Sequence, residues 1–237
     1  NERFISIEKI IPYVVGLNVW LLVYADTNDA MGMNMVTIAG KQIAESIMQQ
    51  YPEITFISES GNMCVDKKPS AMNLIQGRGK KVVASVNIKN EIVEKKLKTT
   101  PERFIELNYR KNLLGSAASG SFGYNAHFAN IIAALFVSTG QDIAHVVEGS
   151  LGFTTIEPLG DYVNVCVTLP DLPIGTIGGG TGLPAQKECL EILGCAGAAN
   201  PSGTNAKKLA EIISVAVLAG EISLLGALCS QDLAKAH

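Results

Sequence analysis

Paired cysteines are missing from this sequence. Cys64, Cys166, Cys189, Cys195 and Cys229 are scattered, and no two have CxxC spacing. That excludes a zinc site of ordinary spacing and fits reduced thiols in a cytoplasmic compartment. Neither a GxGxxG turn nor a P-loop Lys occurs, so neither common nucleotide fingerprint applies. Zinc-finger, helix-turn-helix and RNA-binding aromatic signatures are absent, which argues against nucleic acid as a partner. Nothing resembles a signal peptide, and the first residue is Asn rather than Met, as expected of a fragment or a processed piece. Charge is scarce: 17% of residues are charged and 47% are hydrophobic, so disorder is excluded and a sizeable core is expected. The 237 residues suffice for one large or two small domains.

What charge there is lies unevenly. Asp66 to Lys111 carries twelve Lys/Arg against five Asp/Glu, a net of +7, while the remainder carries −10. A basic segment on an acidic chain points to a local anionic ligand, for which a phosphorylated small molecule ranks above nucleic acid. The longest apolar run, Ile212 to Cys229, holds Glu221 near its middle. A central carboxylate and marginal length predict a buried core helix and no membrane contact by this segment.

In chain order, Phe4, Ile7 and Ile11 have helical spacing, which predicts a helix over residues 1–11. Leu17 to Ala25 reads as a buried strand. A polar turn from Asp26 leads through small residues into a helix over roughly 35–49, the outline of a phosphate- or cofactor-binding arrangement. Ile54 to Ile57 reads as a short strand. Residues 59–73, ESGNMCVDKKPSAMN, then crowd polar groups between apolar runs, with Gly61 for a tight turn and Pro69 for a following helix. Residues 81–89 alternate like a strand. Thr100 and Pro101 read as N-cap and first position of a helix running towards Lys111. Gly115 to Gly123 is a loop or a closely packed helix. A helix is expected over 125–138, placing His127 and Asn130 on one face. Residues 153–157 and 162–169 read as strands joined at Gly160. A Gly-rich loop, residues 175–182, precedes a helix opened by Pro184, and a long core helix covers 205–229. The architecture expected is α+β, with a larger domain built around that long helix.

The motifs DAMGMNM (residues 29–35), SGNMCVDKKP (60–69), GRGK (77–80), KNLLGSA (111–117), GYNAHFAN (123–130), GQD (140–142) and IGTIGGGT (174–181) appear together and in this order. As a set they are far more specific than any one nucleotide motif. The chain resembles the catalytic portion of class I 3-hydroxy-3-methylglutaryl-coenzyme A (HMG-CoA) reductases, along nearly its whole length. The resemblance implies an NADPH-dependent, four-electron reduction of HMG-CoA to mevalonate and free coenzyme A. It implies Lys67, Asp142 and His237 as catalytic residues. Ser60, Asp66, Lys68, Lys111 and Asn130 match ligands of the hydroxymethylglutaryl group, and His127 a His near the coenzyme A thiol. Arg3, Asp29, Met31, Gly32, Met33 and Asn34 match the cofactor-binding segment, to which the loop glycines Gly178 and Gly179 are added. Arg3, with Lys9, can meet the extra phosphate of NADPH. Residues 1–57 are then part of a small, ferredoxin-like NADPH-binding domain, and residues 58–237 a larger catalytic and dimerisation domain. Self-association as a dimer or tetramer, with the site where subunits meet, is implied too.

The family's catalytic Glu, in a segment containing Glu-Asn-Val-Ile-Gly, has no counterpart in this sequence. The expectation is a C-terminal piece of a longer enzyme, or a chain whose partner supplies the rest. Two readings from other classes stand beside it. Cys64 is a candidate nucleophile for acyl transfer. The chain can also be a non-catalytic, coenzyme A-binding or regulatory fragment.

The residue chemistry agrees with thioester reduction. A fixed ammonium at Lys67 can stabilise charge developing on the carbonyl oxygen. Lys68 and Lys111 can pair with a substrate carboxylate. A His suits proton transfer to a departing thiolate, and Asp142 can hold Lys67.

Overall fold

The structure is a computed structural model and describes residues 5–231. Arg3 and His237 therefore lie outside the described residues.

The chain begins with a hairpin, β1 (Ser6–Val15) and β2 (Asn18–Asp26), that forms its own two-stranded antiparallel sheet. The helix expected over residues 1–11 is thus a strand from Ser6 onward. Spacing of four satisfies both the helical and the regular strand period, so Ile7 and Ile11 do not separate the two conformations; in the strand a bulge between Ile7 and Lys9 interrupts the alternation. The turn at Gly16, with φ 59°, returns the chain so that Val15 pairs with Asn18. Helix α1 (Met33–Gln50) follows. Residues 54–57 form no strand: that segment has no ladder partner among the described residues, and Ile54 and Ile57 stay exposed.

Short helix α2 (Ala71–Gln76) opens at the N-cap Ser70, whose hydroxyl accepts the Met72 N–H at 3.1 Å, so Pro69 stands just ahead of the cap. Strand β3 (Arg78–Lys89) leads into α3 (Asn90–Leu97) and α4 (Pro101–Leu107). Thr100 caps α4 through the Arg103 N–H at 3.3 Å, as its sequence predicts. The helix then loosens into a π-helical segment, Asn108–Gly115, before one more turn, α5 (Ser116–Ala118). The buried amide of Asn108 donates to Thr154 O at 3.0 Å and that of Asn112 to Asn108 at 2.8 Å, which ties this segment to the sheet.

Strand β4 (Gly123–Tyr124), α6 (Phe128–Thr139), α7 (Val146–Gly149), β5 (Gly152–Leu159) and β6 (Tyr162–Leu172) complete a four-stranded sheet in the order β3–β6–β5–β4. Among the described strands of this sheet, β4 and β5 pair in parallel and the other neighbours antiparallel. In β6, Val163, Val165, Val167 and Leu169 are buried and alternate with half-buried residues, the period of a strand with one face on the core. Helix α8 (Pro184–Ile192) precedes α9 (Thr204–Ser230). Leu209, Ile213, Val217 and Leu225 of α9 join those β6 residues in one core with Phe128, Ile132 and Phe136 of α6. By length and composition α9 could cross a membrane, but its apolar face is core and Glu221 is fully buried and hydrogen bonded. The expected mixed α+β architecture, with the long helix at its centre, is what the chain adopts.

Candidate active site

The loop between α1 and α2 carries Asp66, Lys67 and Lys68 in an unusual backbone. Asn62, Val65 and Lys67 all have φ between 50° and 59°. That region is costly for a β-branched residue such as Val65 and persists only where surroundings hold it. Three contacts hold it here. The Asn73 amide donates to Val65 O at 3.1 Å, the Lys67 backbone N–H donates to the buried Glu148 carboxylate, and the Trp20 indole donates to Gly61 O at 2.9 Å. A Cβ on Gly61 would lie 2.4 Å from the Trp20 ring, so close approach rather than turn formation is what requires glycine there.

The strained turn aims the exposed Lys67 ammonium at the half-buried Asp142, 2.7 Å away. Asp142 is held in turn as the cap of a short 3-10 turn, accepting the Ala144 N–H at 3.0 Å. The Asp142 hydrogen bond raises the Lys67 ammonium above its ordinary value. Burial pushes Asp142 up, but Lys67, the Ala144 N–H and His145 outweigh it and hold the carboxyl low. The pair therefore stays charged across the neutral range.

Beneath it lies a charge cluster. His145, fully buried, places Nε2 2.8 Å from Asp66, and its Nδ1 lies 3.7 Å from Asp142. Arg78 reaches Asp66 at 2.9 Å and Glu148 at 2.7 Å. Burial pushes Asp66 up, while the His145 hydrogen bond and the Arg78 guanidinium lower it by more. Asp171 closes the cluster. Among the described residues neither of its oxygens meets a donor from elsewhere, and burial with Glu148 beside it pushes the carboxyl up to about 8. It thus retains a proton that it can share with Glu148. Asp66, His145 and Glu148 bring ligand atoms within 4.8 Å of one another, a spacing that could suit a metal. The Arg78 guanidinium already bridges both carboxylates, so the cluster has a cation of its own.

Cofactor candidates gather on a second loop pair. Asp29 is buried and accepts N–H groups of Ala199, Gly203 and Ala206 at 2.8–3.0 Å. Its burial penalty is outweighed by these bonds, which lower its pKa. The carboxylate is fully engaged by the protein, so Asp29 acts by anchoring the loop ahead of α9. Its carbonyl accepts Thr176 N–H at 2.7 Å, which fixes the Gly-rich loop against the Asp29–Met31 backbone. A Cβ on Gly175 would lie 2.5 Å from Met31 N. Gln141 clamps the same loop, donating to Gly175 O and accepting Gly175 N–H, both at 2.9 Å. Met33 Sδ lies 2.7 Å from Arg78, linking the two loop systems. Gly32 precedes α1 without a side-chain cap, Asn34 is exposed in the first turn, and Met31 is half-buried. Gly178 and Gly179 have positive φ and open space where a Cβ would be. Lys9 stacks over the Tyr24 ring at 4.2 Å.

Ser60 and Lys68 are exposed on the Lys67 loop, and the Lys68 ammonium folds back to Asp66 O at 3.0 Å. Lys111 rests on Asn112 at 3.2 Å. His127 is the N-cap of α6, and Asn130, exposed in the first turn, donates its N–H to His127 O. The helix thus starts three residues later than expected. Glu221 binds the N–H groups of Ala126 and His127, and Asn125 accepts that of Phe128, so these residues form the cap. His127 Nδ1 lies 3.0 Å from Glu221 and His145 Nε2 faces Asp66, so both described histidines are committed to carboxylates. Neither bond leads to Cys64.

Arg78, His145, Glu148 and Asp171 were not among the expected site residues. Arg78 lies within the GRGK motif, and His145 and Glu148 fall one and two turns beyond Asp142, so helical spacing was the available signal. Asp171 follows an apolar strand and has no such signal. A hollow of about 580 Å³ between α4 and the β5–β6 turn, lined by Pro101, Ile105, Tyr109 and Tyr162, contains none of these residues.

The sequence profile of hydroxymethylglutaryl-coenzyme A reductase matches residues 1–237. The 3-hydroxy-3-methylglutaryl-coenzyme A reductase of Pyrococcus abyssi is 55% identical over 228 residues, covering 95% of this chain and 56% of that protein. The Aeropyrum pernix reductase is 56% identical over 232 residues, covering 98% and 55%. Reductase 1 of Oryza sativa is 47% identical over 241 residues, covering 100% and 45%. The chain spans about half the length of the relatives it matches.

Proposed function

The chain belongs to the hydroxymethylglutaryl-coenzyme A reductase family, and we propose that, within a full-length protein, it carries much of the site for NADPH-dependent reduction of HMG-CoA to mevalonate and coenzyme A in the cytoplasm. The observation that carries this reading is the Lys67–Asp142 pair at 2.7 Å on a strained loop. Reducing a thioester builds negative charge on its carbonyl oxygen. A pre-oriented ammonium stabilises that charge with little reorganisation. Asp142 keeps Lys67 protonated and aimed. The buried cluster under it fixes the Lys67 backbone through Glu148.

Ser60, Asp66, Lys68, Lys111 and Asn130 are assigned to the hydroxymethylglutaryl group, with Lys68 and Lys111 meeting its carboxylate. His127 is assigned to the coenzyme A thiol and His237 to proton delivery there. Residues 1–57 serve as part of the NADPH-binding domain, and residues 58–237 as the substrate-binding and dimerisation domain. The uncapped first turn of α1 and the open positions at Gly178 and Gly179 fit a phosphorylated cofactor. Bound NADPH would supply the hydrides. Met31, Gly32, Met33, Asn34 and Arg3 would hold it, and Asp29 would fix the loop that presents them.

The test is turnover by the full-length protein, followed through nicotinamide absorbance with NADPH and HMG-CoA. Lys67→Ala should lower kcat on the order of a hundred- to a thousandfold. A wild-type protein that oxidises no NADPH, or a variant with unchanged turnover, would overturn the proposal.

A further inference from the structure

Glu221 stands in the middle of the apolar stretch of α9, Ile212 to Cys229, with no exposed surface. Burying a carboxylate there is costly unless its oxygens are satisfied. An apolar side chain would pack α9 without that cost. All its partners come from outside α9. Oε2 accepts the Ala126 N–H at 2.8 Å and the Thr154 hydroxyl at 2.6 Å. Oε1 accepts the His127 N–H at 2.8 Å and faces His127 Nδ1 at 3.0 Å.

Donor and acceptor roles follow from these contacts. Backbone N–H groups only donate, and the Thr154 hydroxyl points its proton at the same carboxylate. Glu221 is therefore the acceptor in all its bonds, and Nδ1 of His127 must carry the proton it shares with Oε1. In a neutral imidazole that leaves Nε2 as the lone-pair nitrogen. The ring is 18% exposed while Glu221 is 0% exposed, so one edge of His127 reaches outward from a buried base. Gly220 leaves space for that ring: a Cβ there would lie 3.4 Å from His127 Cε1 and 3.0 Å from Ile131.

We propose that Glu221 is a positioning residue that locks His127 in the Nδ1–H tautomer and presents Nε2 outward as an acceptor for the thiol of coenzyme A. The thiol part of this inference rests on the assignment of His127 given above. The tautomer has a chemical consequence. An Nε2 lone pair can receive an S–H but has no proton to give, so neutral His127 holds the released thiol. The proton that makes that thiol arrives from another group.

The test uses full-length protein labelled with ¹⁵N-histidine. Two-bond ¹H–¹⁵N correlations distinguish the tautomers, and the His127→Gln variant assigns the resonance. The expected pattern is protonated Nδ1 and bare Nε2. Glu221→Gln, which turns an amide donor towards the ring, should abolish that pattern. It should also cut the preference for coenzyme A over an analogue lacking the sulfur by roughly three- to tenfold. An Nε2–H pattern in the wild type would overturn the proposal. So would a Gln variant in which tautomer and thiol preference are both unchanged. If the variant does not fold, the wild-type spectrum decides alone. A wild type with the Nδ1–H pattern that binds no coenzyme A would uphold the Glu221 lock and overturn the reductase reading instead.

Discussion

At Asp171 the cost of burying a carboxyl is limited by keeping its proton. Its pKa moves from 3.8 to about 8, first through burial and then through Glu148 beside it. The folded state binds this proton more tightly than the unfolded chain. The contribution to stability is therefore full below the ordinary carboxylate range and is lost as pH rises from about 4 to about 8. Asp66 and Asp142, both lowered, act in the opposite sense: their contribution is present above the ordinary range and fades in acid. Asp171→Asn cannot titrate and can donate to Glu148. It should flatten the fall in thermal midpoint between pH 5 and pH 8, and an unchanged pH dependence would exclude this role for Asp171. The same cluster shows where residue-level reading stops. Asp66 and Lys67 stood out as charged groups in a polar loop between apolar flanks, whereas Asp142, just after an apolar helix, was singled out only by the resemblance of its GQD motif. His145, Glu148 and Asp171 come from segments whose periodicity is that of ordinary core, and only folding brings them under Lys67.

Elements were legible where sequence carries a local mechanism. Thr100-Pro101 capped a helix as written, β6 alternated, and the apolar run holding Glu221 became the central helix. They were not legible where two mechanisms share one pattern. In β1 a spacing of four fits both periods, and Pro12 and the β-branched run around it were the signals favouring a strand. The contact between the Asp142 turn and the Gly-rich loop is another feature that pattern alone does not give. Gly140 has φ 70°, and a Cβ on it would lie 2.3 Å from Gly180 O. Gly160 has φ 58° in the β5–β6 turn and meets nothing within 4 Å. Gly160→Ala should cost only the backbone strain, ~1 kcal/mol. Gly140→Ala adds displacement of the loop that carries Gly178 and Gly179 and should cost ~3 kcal/mol or more. Urea unfolding compares them, and equal costs would mean that the loop yields freely. On the proposed cofactor assignment, Gly140→Ala in the full-length protein should also raise the KM for NADPH, while Gly160→Ala should not.

For the whole molecule, the surface around the β1–β2 hairpin sets the expectation. Val14, Val15, Leu17 and Val19 are 58–103% exposed, with Ile10 and Leu21 beside them. So dense an apolar patch at a hairpin tip is more than scattered surface hydrophobicity and marks a face that something covers. The opposite face of the hairpin is already engaged, with Tyr24 donating to Gln76 at 2.8 Å and Trp20 to Gly61. A cover on the tip therefore also braces the Lys67 loop. Self-association is the cover expected, because a closed symmetric assembly can bury the same patch on every copy. Sedimentation velocity of the full-length protein at micromolar concentration should show a dimer or tetramer, and a stable monomer would refute it. The double variant Val14→Lys, Leu17→Lys then locates the contact. If copies meet through the tip, the variant sediments as a smaller species and loses turnover together with assembly. An assembly that survives the two lysines would assign the tip to cover from within one chain and place the subunit contact elsewhere.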